Sequence, residues 1–198
     1  MSTAEAVRDK VASAPPGSYF RPADFEGSEL AVGTALSRLA ARKKVIRMRN
    51  GLYHKPKDSR FGPVPPSPLE LGIQAAMTKG LKGGIGPAGW SAAHELGLSS
   101  QVPRFVELAV SRRPPTHAPD GVRYRERSNV RRERLGFHDV ALLEVLRDWS
   151  TLRVDWSKLA ETCSRLSDAG KLHPSAVLEA AAGESARVKK MARDLFGH

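Results

Sequence analysis

Residues 28–53 constrain the fold of this chain most, because a helical pattern there passes directly into a hairpin pattern. At 100° per residue, one arc of SELAVGTALSRLAA holds Val32, Ala35, Leu36 and Leu39. The β-like runs 45–49 and 52–54 then flank Asn50 and Gly51, a pair typical of a two-residue type I′ turn. The stretch therefore predicts a helix followed by a hairpin, with Arg47 and Arg49 on one strand face.

The predicted helix has a marked start and two distinct faces. Ser28 is a suitable N-cap and also a candidate DNA-binding residue at the start of the helix, and Glu29 suits the positive end of the helix dipole. Opposite the apolar arc lie short side chains and one arginine, which would let the helix enter a major groove and read a guanine edge: Gly33, Thr34, Ser37 and Arg38. The alternative for Arg38 is that it only solubilises an exposed face.

Basic residues follow this helix and continue along the hairpin. They are Arg42, Lys43, Lys44, Arg47, Arg49 and Lys55. Such side chains can contact phosphate or the minor groove and position a protein on a duplex without specifying its sequence. Protection of an edge strand by charge is the competing interpretation.

The residues before Ser28 complete a recognisable order of elements. Helical spacing over residues 3–14 ends at Pro15, Pro16 and Gly17, a short β-like run follows at 18–20, and Pro22 opens one compact helical turn. Helix, strand, short helix, helix and hairpin is the order of a winged helix-turn-helix. We therefore predict this DNA-binding fold within residues 1–60, with the helix after Ser28 as its recognition helix.

The net charge of +11 is unevenly distributed. Residues 1–60 carry 12 basic and 6 acidic side chains, and residues 104–134 carry 9 and 4. A localised excess of this kind suits a polyanionic partner, because neutralising phosphates releases counterions. A second basic surface is expected from Arg123, Arg125, Arg127, Arg131, Arg132 and Arg134, and solvated arginines are the equal alternative.

A proline-rich segment predicts two domains. Residues 55–68 hold five prolines and should form an extended connector, with a linker at 61–66. Residues 67–198 should form a mostly helical α+β domain that opens with a capping box at Ser67 and Glu70. Further helices are predicted near 90–96, 139–149, 156–169 and 175–196, with a flexible turn at 82–87 and antiparallel strands at 105–110 and 122–125. The fold class is thus mainly α with small β-sheets.

No pattern predicts catalysis, a cofactor or a metal. Glycines 83, 84 and 86 lack the Gly-Lys-Ser/Thr ending of a phosphate-binding loop, and Cys163 reads as a buried structural cysteine. The histidines show no metal-ligand spacing: His54, His94, His117, His138, His173 and His198. The start MSTAEAVRDK lacks a signal-peptide core and no stretch approaches the ~20 apolar residues of a membrane span, so we expect a cytoplasmic protein without membrane contact.

Two stretches resemble a known family. Residues 36–56, LSRLAARKKVIRMRNGLYHKP, and more specifically residues 87–111, PAGWSAAHELGLSSQVPRFVELAVS, are similar to the AbiEi-type antitoxins of type IV toxin–antitoxin systems. The second stretch carries Pro-x-Gly, paired small residues, Leu-Gly-Leu-Ser, Gln-Val-Pro and a following strand, as in that family. The resemblance covers roughly residues 14–156 and fades towards the C-terminus.

The resemblance implies a repressor that autoregulates its operon through inverted repeats in its own promoter and opposes a nucleotidyltransferase toxin. Residues 67–198 would then be the antitoxin domain. Two alternatives remain: an orphan winged-helix regulator without a toxin, and an enzyme that acts on nucleic acid. Conspicuous carboxylate clusters would favour the enzyme, and the sequence shows none.

Overall fold

The computed structural model describes residues 2–60, 62–78 and 80–197, and about half of the chain is helical. Small sheets accompany the helices, so the predicted α+β class is confirmed at that level. The chain divides into two compact units, residues 1–74 and 75–198. Among the described residues, none of the helices is both long and apolar enough to cross a membrane.

The first unit begins with the predicted order of elements. They are α1 (Thr3–Ser13), β1 (Tyr19–Phe20), a 3₁₀ turn (Pro22–Asp24), α2 (Glu29–Ala41), β2 (Ile46–Arg49) and β3 (Leu52–His54). The three strands form an antiparallel sheet in the order β1-β3-β2. Local patterns therefore gave the type and approximate bounds of each of these elements.

α1 and α2 bury their apolar stripes against each other. Val7 of α1 and Val32 and Leu36 of α2 are fully buried. Phe20 and Tyr53 from the sheet close the same core. Val32 and Leu36 are four residues apart and therefore lie on one side of α2, so the opposite side of α2 is left at the surface.

The N-terminal end of α2 differs from the sequence prediction. Ser28 precedes the helix, but its hydroxyl makes no capping hydrogen bond, so the expected side-chain cap is wrong. At the other end Lys43 adopts a left-handed conformation with φ of 57°. The Lys43 and Lys44 N–H groups donate to the carbonyls of Ala40 and Leu39, as in a Schellman motif, where glycine is the usual residue.

The β2–β3 hairpin is irregular. A type I′ turn requires positive φ at both central residues, yet only Gly51 (φ 72°), and not Asn50, is among the described residues with positive φ. The register shifts between Arg47, which pairs with Tyr53, and Arg49, which pairs with Leu52. Because neighbouring residues on a strand face opposite sides, the shift separates Arg47 from Arg49. The predicted turn type and shared face are therefore wrong.

The proline-rich segment is not simply extended. β4 (Lys57–Ser59) and β5 (Gly62–Val64) pair as an antiparallel hairpin, whereas the sequence predicted a connector there. Phe61, the first residue of the predicted linker, lies outside the described residues, as does Met1. α3 (Pro68–Met77) follows with the predicted capping box, in which the Ser67 and Glu70 side chains and N–H groups bond reciprocally.

The second unit surrounds α5 with helices and a small sheet. Its elements are β6 (Ile85–Pro87), α4 (Gly89–Glu95), β7 (Val106–Val110), β8 (Val122–Glu126), a 3₁₀ segment (Val130–Arg134), α5 (Phe137–Arg147), α6 (Trp149–Leu152), α7 (Trp156–Asp168), α8 (Pro174–Ala181) and α9 (Ala186–Phe196). Most of α5, from Asp139 to Leu146, is buried in the core. The helix predicted at 175–196 is two helices, because Gly183 packs against Asn129 and Ser185 caps α9.

The sheet of this unit corrects two predictions. β7 and β8 run parallel instead of antiparallel, because the connection between them crosses back to the same end before β8 begins. β6, predicted as part of a flexible turn, is the antiparallel partner of β7. A Cβ on Gly84 would lie 2.6 Å from the Arg132 carbonyl, and one on Gly86 would lie 2.7 Å from Val140. These glycines serve close packing.

Candidate nucleic-acid interface

The outer face of α2 is formed by residues spaced one and two turns apart. Leu30, Thr34, Ser37, Arg38 and Ala41 are all exposed, opposite the buried stripe. Gly33 is half-buried at the edge of this face, where an added Cβ would approach Pro22. The sequence therefore placed Thr34, Ser37 and Arg38 together correctly. It overlooked Leu30, although the same helical spacing puts Leu30 on that face.

Two hydroxyls on this face already have partners. The Thr34 Oγ1 donates to the Leu30 carbonyl at 2.9 Å, and the Ser37 Oγ lies 2.8 Å from the Tyr53 Oη. Tyr53 is almost fully buried, so its hydroxyl needs that partner. These bonds tie α2 to β3 and leave the hydroxyls less free to bond an outside group.

Four cations surround the C-terminal end of α2. Arg38, Arg42, Lys43 and Lys44 are exposed. Within the described residues, no carboxylate forms an ion pair with any of them. Free cations close together at one helix end produce a positive potential that an anion can reach.

The hairpin arginines are placed differently from each other. Arg47 is exposed and its Nη2 donates to the Asn50 side chain at 2.9 Å. Arg49 is half-buried, and its Nη1 is buried without a partner among the described residues. Arg47 is therefore the hairpin cation that an external anion can reach directly.

Lys55 does not belong to this surface, which corrects its assignment as a phosphate contact. Its Nζ donates to the carbonyls of Val11, Ala12 and Ala14, at 3.0, 2.9 and 2.7 Å. These carbonyls are at the C-terminal end of α1, where a cation satisfies the unpaired acceptors and the negative end of the dipole. All three ammonium protons are thus used inside the unit.

The predicted second basic surface is largely an internal ion-pair network. Arg132 is 1% exposed; its Nη1 donates to Glu144 and its Nε to Glu184, both at 2.6 Å. Arg127 donates twice to Glu144, and Arg147 donates to Glu184 at 2.8 Å. Arg127 and Arg132 are therefore corrected from surface residues to parts of the packing between the 3₁₀ segment, α5 and the α8–α9 connection.

The other four arginines of that set are distributed around the second unit. Arg125 pairs with Glu107 and Asp148, each at 2.9 Å. Arg123 stacks on Phe105 with its guanidinium carbon 3.9 Å from the ring centroid. Arg131 and Arg134 are exposed, and Arg134 is only 4.0 Å from Glu179. The sequence could not show these partners because they lie far along the chain.

The charges in the network stabilise one another. Burial by itself would raise the pKa of Glu144, but hydrogen bonds from Arg127 and the charge of Arg132 outweigh it and hold this pKa below its ordinary value of 4.5. The pKa of Glu184 is lowered in the same way: hydrogen bonds from Arg132 and Asn129 outweigh burial. The clustered carboxylates that the sequence did not reveal are therefore ionised partners of arginine.

Two further kinds of side chain could carry chemistry, the single cysteine and the metal-binding residue types. Cys163 is buried as predicted, and burial raises the pKa of its thiol to about 12, so the nucleophilic thiolate is disfavoured. Within residues 2–60, 62–78 and 80–197, no three His, Cys, Asp or Glu side chains gather in a metal-binding arrangement. His198 lies outside the described residues.

Comparison with known proteins identifies a family. A family model described as a family of unknown function (DUF6088) matches residues 6–112, more than half of the chain. The chain therefore belongs to this family. The crystal structure of the RV2827C protein from Mycobacterium tuberculosis is similar, with a TM-score of 0.48 and 13% identity over 96% of this chain and 74% of that one. No curated protein matches significantly.

Proposed function

We propose that the first unit is a winged helix-turn-helix that binds double-stranded DNA, with α2 in the major groove and the β2–β3 hairpin as the wing. The order α1, β1, 3₁₀ turn, α2 and hairpin supports this assignment, as does the packing of α1 on α2. One observation carries the proposal: the outer face of α2 ends in four exposed cations, Arg38, Arg42, Lys43 and Lys44, that have no ion-pair partner in the described residues.

The contacts divide into two kinds. Arg38 lies on the exposed face in the last turn of α2 and can donate twice to a guanine edge. Arg42, Lys43, Lys44 and Arg47 lie beside that face and suit phosphate, which positions the protein without reading sequence. Lys55 makes no such contact because its protons are bound to α1.

Fluorescence anisotropy with the duplex upstream of the protein's own reading frame tests this proposal. With about four phosphate contacts per bound chain, the logarithm of affinity should fall against the logarithm of salt with a slope of roughly −4. Arg38→Ala should cost ~1–3 kcal/mol at one base position, whereas Arg47→Ala should weaken all duplexes equally. Arg165→Ala, on the exposed side of α7, is the matched control. Salt-independent or absent binding would reject the proposal.

We further propose that the chain is the repressor and antitoxin of a type IV toxin–antitoxin system, opposing a nucleotidyltransferase toxin from its second unit without catalysis or a cofactor. The support is the resemblance of residues 87–111 to AbiEi-type antitoxins; these residues form α4, β7 and the segment between them. Co-expression of the full chain with the product of the neighbouring reading frame should restore growth. Rescue should persist when Arg38→Ala and Arg47→Ala abolish DNA binding. If growth is not restored by the variant that no longer binds DNA, protection against the toxin would act through repression of transcription.

A further inference from the structure

The first turns of α2 present hydrocarbon at the surface. Leu30 is 81% exposed on the same side as Thr34, and Ala31 beside it is also exposed. A single exposed leucine is ordinary on a protein surface and carries no meaning alone. Here Leu30 lies at the N-terminal end of the face whose C-terminal end carries the free cations. What Leu30 can contact therefore depends on the residues around it on that face.

The residues next to Leu30 expose methyl groups on this face, and their hydroxyl groups are already hydrogen-bonded within the unit. The Thr34 Oγ1 donates its proton to the Leu30 carbonyl at 2.9 Å, so the exposed Thr34 side chain offers its methyl group and no free hydroxyl proton. The hydroxyl of Ser37 is engaged with the buried Tyr53. The N-terminal half of this face therefore offers the side-chain carbons of Leu30, Ala31 and Thr34, and a strong donor appears only at Arg38.

The major groove contains one apolar feature that such a face can recognise. Thymine presents its C5-methyl group there beside the O4 acceptor, whereas the edges of guanine, adenine and cytosine present hydrogen-bonding atoms and no methyl group. Pressing a leucine against those atoms would remove them from water without a partner and would cost binding energy. A hydrocarbon face consequently discriminates in favour of thymine and against the other bases.

We propose that Leu30, Ala31 and the Thr34 methyl group read thymine C5-methyl groups. This inference rests on the proposed DNA binding and goes beyond it, because it names the bases that face the first two turns of α2. The bound duplex then carries thymine opposite these turns. The contact read by Arg38 follows about two turns after Leu30, towards the C-terminal end of the helix.

The test uses duplexes that the full chain selects from a random-sequence pool. Each thymine is replaced in turn by uracil, incorporated as deoxyuridine, which keeps every hydrogen-bonding group and removes only the methyl group. Replacement opposite the first turns of α2 should lower affinity about three- to fivefold per methyl group, as expected for one buried methyl. Replacement elsewhere should have no effect.

A variant links the effect to one residue. Leu30→Ala should weaken binding to the thymine duplex about tenfold, and replacing the one thymine that Leu30 contacts with uracil should then cause no further loss of affinity. Leu30 is exposed and alanine favours helices, so the variant should fold normally. Val64→Ala, at another exposed apolar position of this unit, is the control and should change neither affinity.

Three results would overturn the inference. The first is a wild-type chain whose affinity for the duplex does not change when uracil replaces thymine at any position. The second is a Leu30→Ala chain that loses as much affinity as the wild type when uracil replaces each thymine in turn. The third is a Leu30→Ala chain that loses self-association instead, which would assign Leu30 to a protein contact. A chain that selects no duplex at all would reject the proposed DNA binding together with the inference.

Discussion

Arg38 and Arg132 are the same residue type in two opposite environments. Arg38 lies exposed on α2 and has no carboxylate partner in the described residues, whereas Arg132 is 1% exposed and bonded to Glu144 and Glu184. The first arginine leaves its charge available to an outside anion, and the second uses its charge to hold helices together. Charge counted from a sequence therefore overstates what a partner can reach.

The difference has a physical cause in the location of acidic residues. Near the C-terminal end of α2 the cations follow one another along the chain, and in the described part of the structure none of them forms an ion pair with a carboxylate. In the second unit, α5 and the α8–α9 connection bring Glu144 and Glu184 to Arg132 of the 3₁₀ segment. Desolvation of such charges is costly unless each is paired, so these carboxylates are paired inside the unit.

The largest effect should come from removing the buried cation. Arg132→Met should lower the free energy of unfolding of the second unit by ~3–5 kcal/mol, because Glu144 and Glu184 lose a charged partner while staying buried. All three tryptophans are in this unit, so their fluorescence during urea denaturation measures it. Arg38→Met should change the stability of the first unit, followed by circular dichroism, by less than ~0.5 kcal/mol. Equal effects of the two variants would refute the contrast.

The network should also make the second unit sensitive to acid. Glu144 and Glu184 have folded-state pKa values below the ordinary 4.5, so they contribute stability above that pH and lose the contribution as pH falls through the lower, folded-state values. Tryptophan-monitored stability should thus decline below about pH 4.5. Glu144→Gln should flatten this decline. A stability that rises on acidification would contradict the ionised network.

Lys55 and Lys44 give a smaller version of the same contrast within the first unit. Lys55→Met should lower stability by ~1–2 kcal/mol, because three carbonyls at the end of α1 lose a charged donor. It should leave the salt dependence of DNA binding unchanged. Lys44→Met should do the reverse, reducing the salt slope by about 0.9 without a loss of stability. Circular dichroism measures the stability of each variant, and salt titration measures the salt slope of its DNA binding. If the two variants gave matching results, the assignment of different roles to Lys55 and Lys44 would be wrong.

The smallest effect concerns Lys43, whose φ of 57° is strained for a residue with a Cβ. Lys43→Gly should raise stability by ~0.5–1 kcal/mol, since glycine adopts this conformation without strain. Lys43→Ala keeps the strain and should bring no gain. Both variants remove the charge and should reduce the salt slope equally, by about 0.9. A more stable alanine variant would show that the backbone conformation is not the cause.

Several features followed from the sequence because they depend on neighbouring residues. The reciprocal cap at Ser67 and Glu70 requires only a short stretch of chain. The buried stripe of α2 follows in the same way from its helical period. Thr34, Ser37 and Arg38 were placed on the opposite face for that reason alone.

Other features depended on partners that local patterns do not contain. The parallel pairing of β7 and β8 depends on where the loop between them returns, and the single predicted helix at 175–196 divides because Gly183 packs against Asn129. Lys55 contacts carbonyls more than forty positions away, and Arg132 reaches Glu184 across 52 positions. The sequence by itself determined where α1, α2 and α3 and the exposed face of α2 lie. Only the tertiary structure decided which cations remain free, because a charge is neutralised by whatever carboxylate or carbonyl the folded chain brings to it.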